Sequence, residues 1–367
     1  MNLAIICRPF SFHGGVETAT AGLMGELLSR GYRIDLLSTR GQADVPGARV
    51  RRLPTLRQPS VFRVLSFALA ARAAIRDAGY DVVQSHERCL RQDIYRAGEG
   101  SHRGYLLAMG RDRARWNPFH RTMCALERRI FQLRSARHIV AISRRDKAEI
   151  ERLYGTPPDR LSLVYNGVDL ERFHPDNRGR YRRATRAVLS LSECHWVVLF
   201  VGSGFERKGL GAVVEALASL SDPSWRLVVA GKGDPEPYRR QANALGVDQQ
   251  VLWIGPRPDV DRLYAMADTV ALPALYEPFG NVHLEALASG VPVLTSARSG
   301  GAEVVGHGAS GWVVEEPSPS LIAAGLEALR DLDRARARDA ARRSAEPFTY
   351  AAQADGFVCL YRTLIRK

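Results

Sequence analysis

No run of apolar residues in this chain approaches the ~18 needed to span a bilayer, so no membrane-crossing helix is expected. The first residues, Met1-Asn2-Leu3-Ala4-Ile5-Ile6-Cys7-Arg8, lack the basic lead and small-residue cleavage site of a secretory leader and read as a strand. Cysteine is scarce. Cys7, Cys89, Cys124, Cys194 and Cys359 are odd in number and scattered, which suits free thiols in a reducing cytoplasm and excludes a disulfide framework. His86 and Cys89 have a ligand-like spacing, but no second pair lies nearby, so no zinc site is expected. The turn after the first strand lacks Gly-x-Gly-x-x-Gly, which removes the usual reason to expect a dinucleotide. Acidic residues are in deficit. Against 39 of them stand 52 basic ones, mostly arginine, and the net charge of +13 implies an anionic partner: nucleic acid, anionic lipid or a phosphorylated substrate. Arginine suits bidentate phosphate recognition better than lysine does.

What is present is apolar content, 46% of 367 residues, sufficient for two globular cores. Short apolar runs alternate with helical patterns. Strands are expected at 3–7, 33–39, 81–85, 94–97 and 138–143, with helices over about 16–30 and 61–78. A second series follows at 196–201, 226–230, 251–255, 269–273, 292–295 and 311–316, and helices over 318–344 and 348–366 finish the chain. This alternation predicts α/β units with parallel sheets, whose ligands bind beyond the carboxyl ends of the strands. The turn Asn166-Gly167-Val168-Asp169 and the polar, Arg-rich stretch 176–187, a linker or a first helix, mark a junction. Domains are expected over 1–170 and 171–345, with a final helical segment at 346–367.

The stretch Glu277-Pro278-Phe279-Gly280-Asn281-Val282-His283-Leu284-Glu285 carries the most chemistry. It reads as strand, loop and helix start, and the unpaired N–H groups of a helix start can hold a phosphate. Glu277 and Glu285 flank that end and are suited to accept hydrogen bonds from ligand hydroxyls. The spacing alone also fits a solvated helix face. A second Gly-rich turn, Gly202-Ser203-Gly204-Phe205-Glu206-Arg207-Lys208-Gly209, follows the strand at 196–201. Adjacent cations there suit a diphosphate: Arg207 can fork onto two oxygens and Lys208 adds a point charge. Gly14-Gly15 lies between the first strand and helix, where backbone can approach a ligand closely. Gly231 and Arg257 each follow a strand of the second series. Asp259-Val260-Asp261 imitates a metal-binding Asp-x-Asp, but Asp259 is read as a helix N-cap.

These motifs resemble those of the retaining glycosyltransferases of family 4, which transfer hexoses from nucleotide diphosphates. Glu-x7-Glu with its embedded Pro-Phe-Gly-Asn, followed by Glu-Ala-Leu-Ala-Ser-Gly-Val-Pro-Val-Leu at 285–294, is the specific part of the match. The loop around Arg207-Lys208 resembles most that of the bacterial lipopolysaccharide core glucosyltransferases. The resemblance implies the GT-B fold, two Rossmann-like domains facing a central cleft, with the last helix crossing back onto the first domain. It implies a UDP-sugar donor bound by Gly14, Gly15, Gly202, Arg207, Lys208, Gly231, Arg257, Phe279, Gly280, Asn281, Val282 and Glu285. It assigns the leaving diphosphate to Arg207 and Lys208, the donor sugar hydroxyls to Glu277 and the ribose to Glu285. It requires no metal and no cofactor. The acceptor, lipopolysaccharide core or another glycolipid, is expected near Glu99 and His102. A GDP-mannose or UDP-N-acetylglucosamine transferase making O-antigen or capsule remains an alternative.

Residues 103–137 hold nine arginines against Asp112 and Glu127, interleaved with aromatic and aliphatic residues. A basic amphipathic segment of this kind suits an anionic membrane surface, with Arg111, Arg113, Arg115 and Trp116 at its tip. A peripheral, cytoplasmic-face protein is therefore expected. Nucleic-acid binding is not, because the cations concentrate in one segment and no aromatic platform or helix-turn-helix is visible. A sugar-nucleotide epimerase is the other class with comparable chemistry.

Overall fold

The computed structural model of the chain describes residues 1–10, 15–133 and 135–365, the side chains of Val16 and Arg115 excepted. It divides into two compact units: Met1–Gly167 with Tyr350–Lys367, and Val168–Thr349.

The first unit is built on a seven-stranded sheet. Its strands are β1 (Asn2–Ile6), β2 (Arg33–Ser38), β3 (Arg49–Arg52), β4 (Val82–Ser85), β5 (Gln92–Arg96), β6 (Ala136–Ala141) and β7 (Leu161–Leu163), in the order β3-β2-β1-β4-β5-β6-β7. The second has six: β8 (Trp196–Val201), β9 (Trp225–Ala230), β10 (Val251–Gly255), β11 (Thr269–Leu272), β12 (Val293–Ser296) and β13 (Gly311–Val314), in the order β10-β9-β8-β11-β12-β13. Every pairing is parallel. Helices cover both faces, so the central strands are apolar throughout; all six residues of β8 are buried. Both orders reverse direction once, between β1 and β4 and between β8 and β11. At such a switch point neighbouring loops diverge to opposite faces and leave a crevice for a ligand.

The final helix, Tyr350–Ile365, belongs to the first unit. Ala354, Phe357, Val358 and Tyr361 form one helical stripe, and they share a core with β1 and β2. The Tyr361 hydroxyl donates to Gln84 Oε1 on β4.

Two expectations are corrected, and one open reading is resolved. The helix expected over 318–344 is two, Pro319–Asp331 and Arg334–Ala345. Leu332 is extended, and the Asp333 side chain accepts from the Arg336 N–H, so a new N-cap interrupts what the apolar spacing continued. Of the two readings of the stretch 176–187, linker or first helix, the structure has the helix, at Asn177–Val188. Arg178, Arg182 and Arg186 recur every four residues on it and all bond Asp268, which fixes the helix to the unit. Residues 103–137 form no single helix. They comprise most of His102–Ala108, a 3-10 turn at Asp112–Trp116, the helix Pro118–Phe131 and the start of β6.

Asp146 is buried on the helix Arg144–Tyr154, and its Oδ1 has no partner among the described residues. Burial, with Glu149 adding, pushes its pKa up to about 8. The unfolded carboxyl ionises near its ordinary value while the folded one holds its proton, so this group destabilises the fold as pH rises toward 8. Asp146→Asn removes the titration. Its melting-temperature gain over wild type should grow steadily from pH 5 to pH 8, by up to ~1.4 kcal/mol per pH unit. A pH-independent difference would mean that Asp146 ionises normally in the fold.

Candidate active site

The loops after β8 and β11 meet at the switch point of the second sheet. The loop after β8 carries Arg207 and Lys208, and the loop after β11 carries Glu277. The backbone stitches them together: the Arg207 carbonyl accepts from Leu275 N–H at 2.8 Å. Arg207 Nη1 donates to the Tyr276 carbonyl at 2.7 Å and to Glu277 Oε2 at 2.9 Å. Lys208 Nζ lies 3.0 Å from the same oxygen. Glu277 and Lys208 side chains are 10% and 9% exposed, Arg207 27%. Burial by itself would raise the Glu277 pKa. Lys208 and then Arg207 outweigh it through charge and hydrogen bonding, and hold the carboxylate at about 2. Two cations against one carboxylate leave a net positive charge in a mostly dry pocket, an arrangement that favours a bound anion.

Glu285 has the opposite environment. Burial raises its pKa, and the hydroxyl of Tyr264 donates to its Oε2 at 2.7 Å. Tyr264 is fully buried on the helix Val260–Met266, with its ring edge against Phe173. The two acids of the Glu-x7-Glu pair are therefore electrostatically distinct. One is fixed as an anion by cations. The other is a poorly solvated acceptor steered by a phenol.

The helix after Asn281, Val282–Ala288, has only seven residues, and Asn281 makes no side-chain cap bond. The positive charge here thus comes from Arg207 and Lys208 more than from a helix dipole. Gly202 and Gly231 close the crevice behind them. A Cβ on Gly231 (φ +152°) would overlap the Gly202 carbonyl, so only glycine lets these two loops touch. The Phe279 ring is wholly buried, and its carbonyl oxygen lies against the Ser299 hydroxyl. Val282 is partly buried against the unit's core. Arg257 follows the edge strand β10 and forks onto Asp259 at 2.8 and 2.7 Å. Asp259 stands at an N-cap position but caps nothing with its side chain, because Arg257 occupies it. Gly14 lies outside the described residues, and Gly15 begins the helix Gly15–Ser29.

In the first unit, Glu99 is gripped by Arg8 at 2.9 Å and Arg88 at 3.2 Å. Burial opposes ionisation, but these cations lower its pKa. His102 begins the helix His102–Ala108, with its Nε2 2.8 Å from His120 Nδ1 and the two rings stacked. Burial pushes its pKa down to about 4, so it is neutral near pH 7. Arg88 joins Glu99 to Glu127, fully buried, whose carboxylate takes Arg88, the His102 backbone N–H and the Tyr154 hydroxyl. Of the tip residues, Arg111 and Arg113 are exposed and Trp116 is 69% exposed; the Arg115 side chain lies outside the described ones. Sequence reasoning gave no role to Tyr264, Arg88 or Glu127. No local signal marks the last two, which stand 39 residues apart in sequence.

Residues 182–345 match the family described as Glycosyl transferases group 1, and residues 13–172 the family described as Glycosyltransferase Family 4. D-inositol 3-phosphate glycosyltransferase of Corynebacterium efficiens is 31% identical over 95% of this chain and 90% of its own. The Corynebacterium glutamicum protein of that name is 35% identical over 58% of this chain, which spans about half, 54%, of that relative. Lipopolysaccharide glucosyltransferase WaaG of Escherichia coli is 26% identical over 83% of this chain and 82% of its own. The crystal structure of WaaG, a glycosyltransferase involved in lipopolysaccharide biosynthesis, superposes with a TM-score of 0.85 at 25% identity, covering 98% of this chain and 99% of that one. Anabaena HepE in complex with UDP-glucose shares the fold, with a TM-score of 0.76 at 17% identity over 99% of this chain and all of that one. The chain belongs to the group 1 and family 4 glycosyltransferases of GT-B fold and is an enzyme that transfers sugars.

Proposed function

We propose that the chain moves a hexose, glucose from UDP-glucose, onto the inner core of lipopolysaccharide with retention of anomeric configuration. The observation that carries this reading is the convergence of Arg207 and Lys208 on Glu277 at the switch point. As the anomeric C–O bond breaks, its electrons leave on the β-phosphate oxygen. Two cations already fixed there stabilise that charge without reorganising. The acceptor oxygen bonds to the same face of the anomeric carbon, and its proton passes to the departing phosphate. In this scheme the positive charge that a metal ion would supply comes from Arg207 and Lys208. Glu277 takes donor sugar hydroxyls and Glu285 the ribose. The WaaG likeness supports the lipopolysaccharide acceptor. A second reading, transfer onto a soluble inositol phosphate, is favoured by the C. efficiens relative. Transfer from GDP-mannose or UDP-N-acetylglucosamine onto O-antigen, capsule or another glycolipid is a third.

Action at the cytoplasmic membrane face is part of the proposal. No helix among the described residues is long and apolar enough to cross a membrane. The helix Pro118–Phe131 exposes Arg121, Arg128 and Arg129, and the helix Ser60–Ile75 packed against it exposes Phe62 and Leu69. Apolar and basic groups side by side suit an anionic bilayer.

Lys208→Ala should lower kcat ~10²- to 10³-fold with little loss of melting temperature. Near-normal turnover would remove its role. Thermal shifts with UDP-, GDP- and ADP-sugars identify the donor, because stabilisation follows affinity for the native state. Product analysis with lipopolysaccharide core and inositol phosphate then separates the acceptors. Tyr264→Phe deletes a donor to the ionised Glu285 and so raises that carboxyl's pKa further. Donor affinity, measured by calorimetry against pH, should fall away at higher pH in the variant than in wild type; coincident profiles would show that Tyr264 does not steer Glu285. Vesicle binding should rise with anionic lipid, fall with salt, and weaken on the order of tenfold in the Arg111→Gln/Arg113→Gln double variant. Equal binding to neutral vesicles would defeat the membrane reading.

A further inference from the structure

His283 is fully buried on the first turn of the helix Val282–Ala288. An imidazole there is costly unless both nitrogens are satisfied. Both are. Nδ1 lies 2.7 Å from the Gly280 carbonyl oxygen, and Nε2 lies 2.8 Å from Thr295 Oγ1. A carbonyl can only accept, so Nδ1 carries the hydrogen. In the neutral ring Nε2 then accepts from the Thr295 hydroxyl. Burial pushes the His283 pKa down to about 4, with the charges of Glu277 and Lys208 facing it in opposite senses.

The imidazole has no room to turn. A Cβ on Gly301 would overlap both Nδ1 and the Phe279 carbonyl oxygen, so the 300–304 turn seals the ring from behind. On the other side stands Gly280, at φ +78°. A Cβ there would come within 3.0 Å of both His283 Nδ1 and Glu277 Cγ. The imidazole and the Glu277 side chain thus flank a single α-carbon. Thr295 belongs to β12, and its hydroxyl also lies 3.2 Å from the Leu272 carbonyl on β11. The imidazole, held on its own helix, therefore reaches the Gly280 carbonyl within the Glu277–Asn281 loop, while Thr295 on the sheet meets only its far nitrogen.

We propose that His283 is a positioning residue for sugar transfer: its Nδ1–H holds the Gly280 carbonyl and thereby sets the loop that presents Glu277 to Arg207 and Lys208. The proposal rests on the donor-site reading given above. It makes His283 responsible for loop geometry, whereas Thr295 serves only to satisfy the far nitrogen.

Three variants separate these roles. In His283→Asn the amide N–H can occupy the place of Nδ1 and keep the Gly280 bond. In His283→Gln the amide reaches the place of Nε2, toward Thr295, and the Gly280 bond is lost. Thr295→Val removes the hydroxyl and leaves Nδ1–H on Gly280. All three should melt lower than wild type. Crystal structures should show the Glu277–Asn281 loop unmoved in His283→Asn and Thr295→Val, and displaced in His283→Gln with Glu277 off Lys208. With the donor identified by thermal shift, kcat should stay within about threefold of wild type in the first two and fall tenfold or more in His283→Gln, with acceptor KM unchanged. A His283→Gln loop superposing on wild type would overturn the proposal, whatever the activity. So would kcat losses that track melting temperature across all three, the mark of a merely structural residue. If wild type transfers no sugar, the functional reading fails on its own, and the loop comparison still decides what His283 holds.

Discussion

Arg207 and Lys208 share one carboxylate oxygen of Glu277, and much of the second unit serves to hold that contact in place. A carboxylate so deeply buried would cost several kcal/mol if unpaired. Here it is paired twice, and its pKa falls to about 2. The cations are not cancelled in return, because two of them answer one anion. The pocket therefore keeps surplus positive charge where water screens it poorly. On the reading proposed above, that surplus charge is what a leaving diphosphate draws on.

The sheet order decides where this happens. β8 and β11 are hydrogen-bonded neighbours although two strands separate them in sequence, so loops about 70 residues apart come within one hydrogen bond of each other. Around them the protein uses neutral polar contacts to fix geometry. Tyr264 steers Glu285, His283 holds Gly280, and Gly231 and Gly202 let two loops touch. Each locks a conformation without adding charge that would compete with the cations.

The first unit repeats the device around another acid. Glu127 is the buried acid, and it gathers Arg88, the start of the helix His102–Ala108 and Tyr154 on the helix Arg144–Tyr154. Arg88 reaches onward to Glu99. The basic segment and the expected acceptor residues are thus joined by one buried pair. Sequence alone presented that pair as two unremarkable charges, since nothing in the spacing of Arg88 and Glu127 indicates that they meet.

Much of the architecture was legible. Apolar runs, separated by turn residues, marked nearly every strand, because strands buried on both faces must be apolar throughout. The adjacency of Arg207 and Lys208 and the spacing of Glu277 and Glu285 were also local facts. Failures came where a local pattern had two physical solutions. Asp333 caps a helix inside what looked like a continuous one. Asp259 caps nothing because Arg257 takes it. His283 sat within an apolar stripe, and its role depends on Thr295 and Gly280 meeting it from other elements.

The sequence by itself therefore determined the strand–helix alternation, the family and the kinds of charge at the site, since these depend on residue type and short spacing. Tertiary structure decided which charges meet, which acid is ionised and which carries a raised pKa, and which buried side chains fix the loop. Those outcomes depend on distance and desolvation, and both are set by parts of the chain remote in sequence.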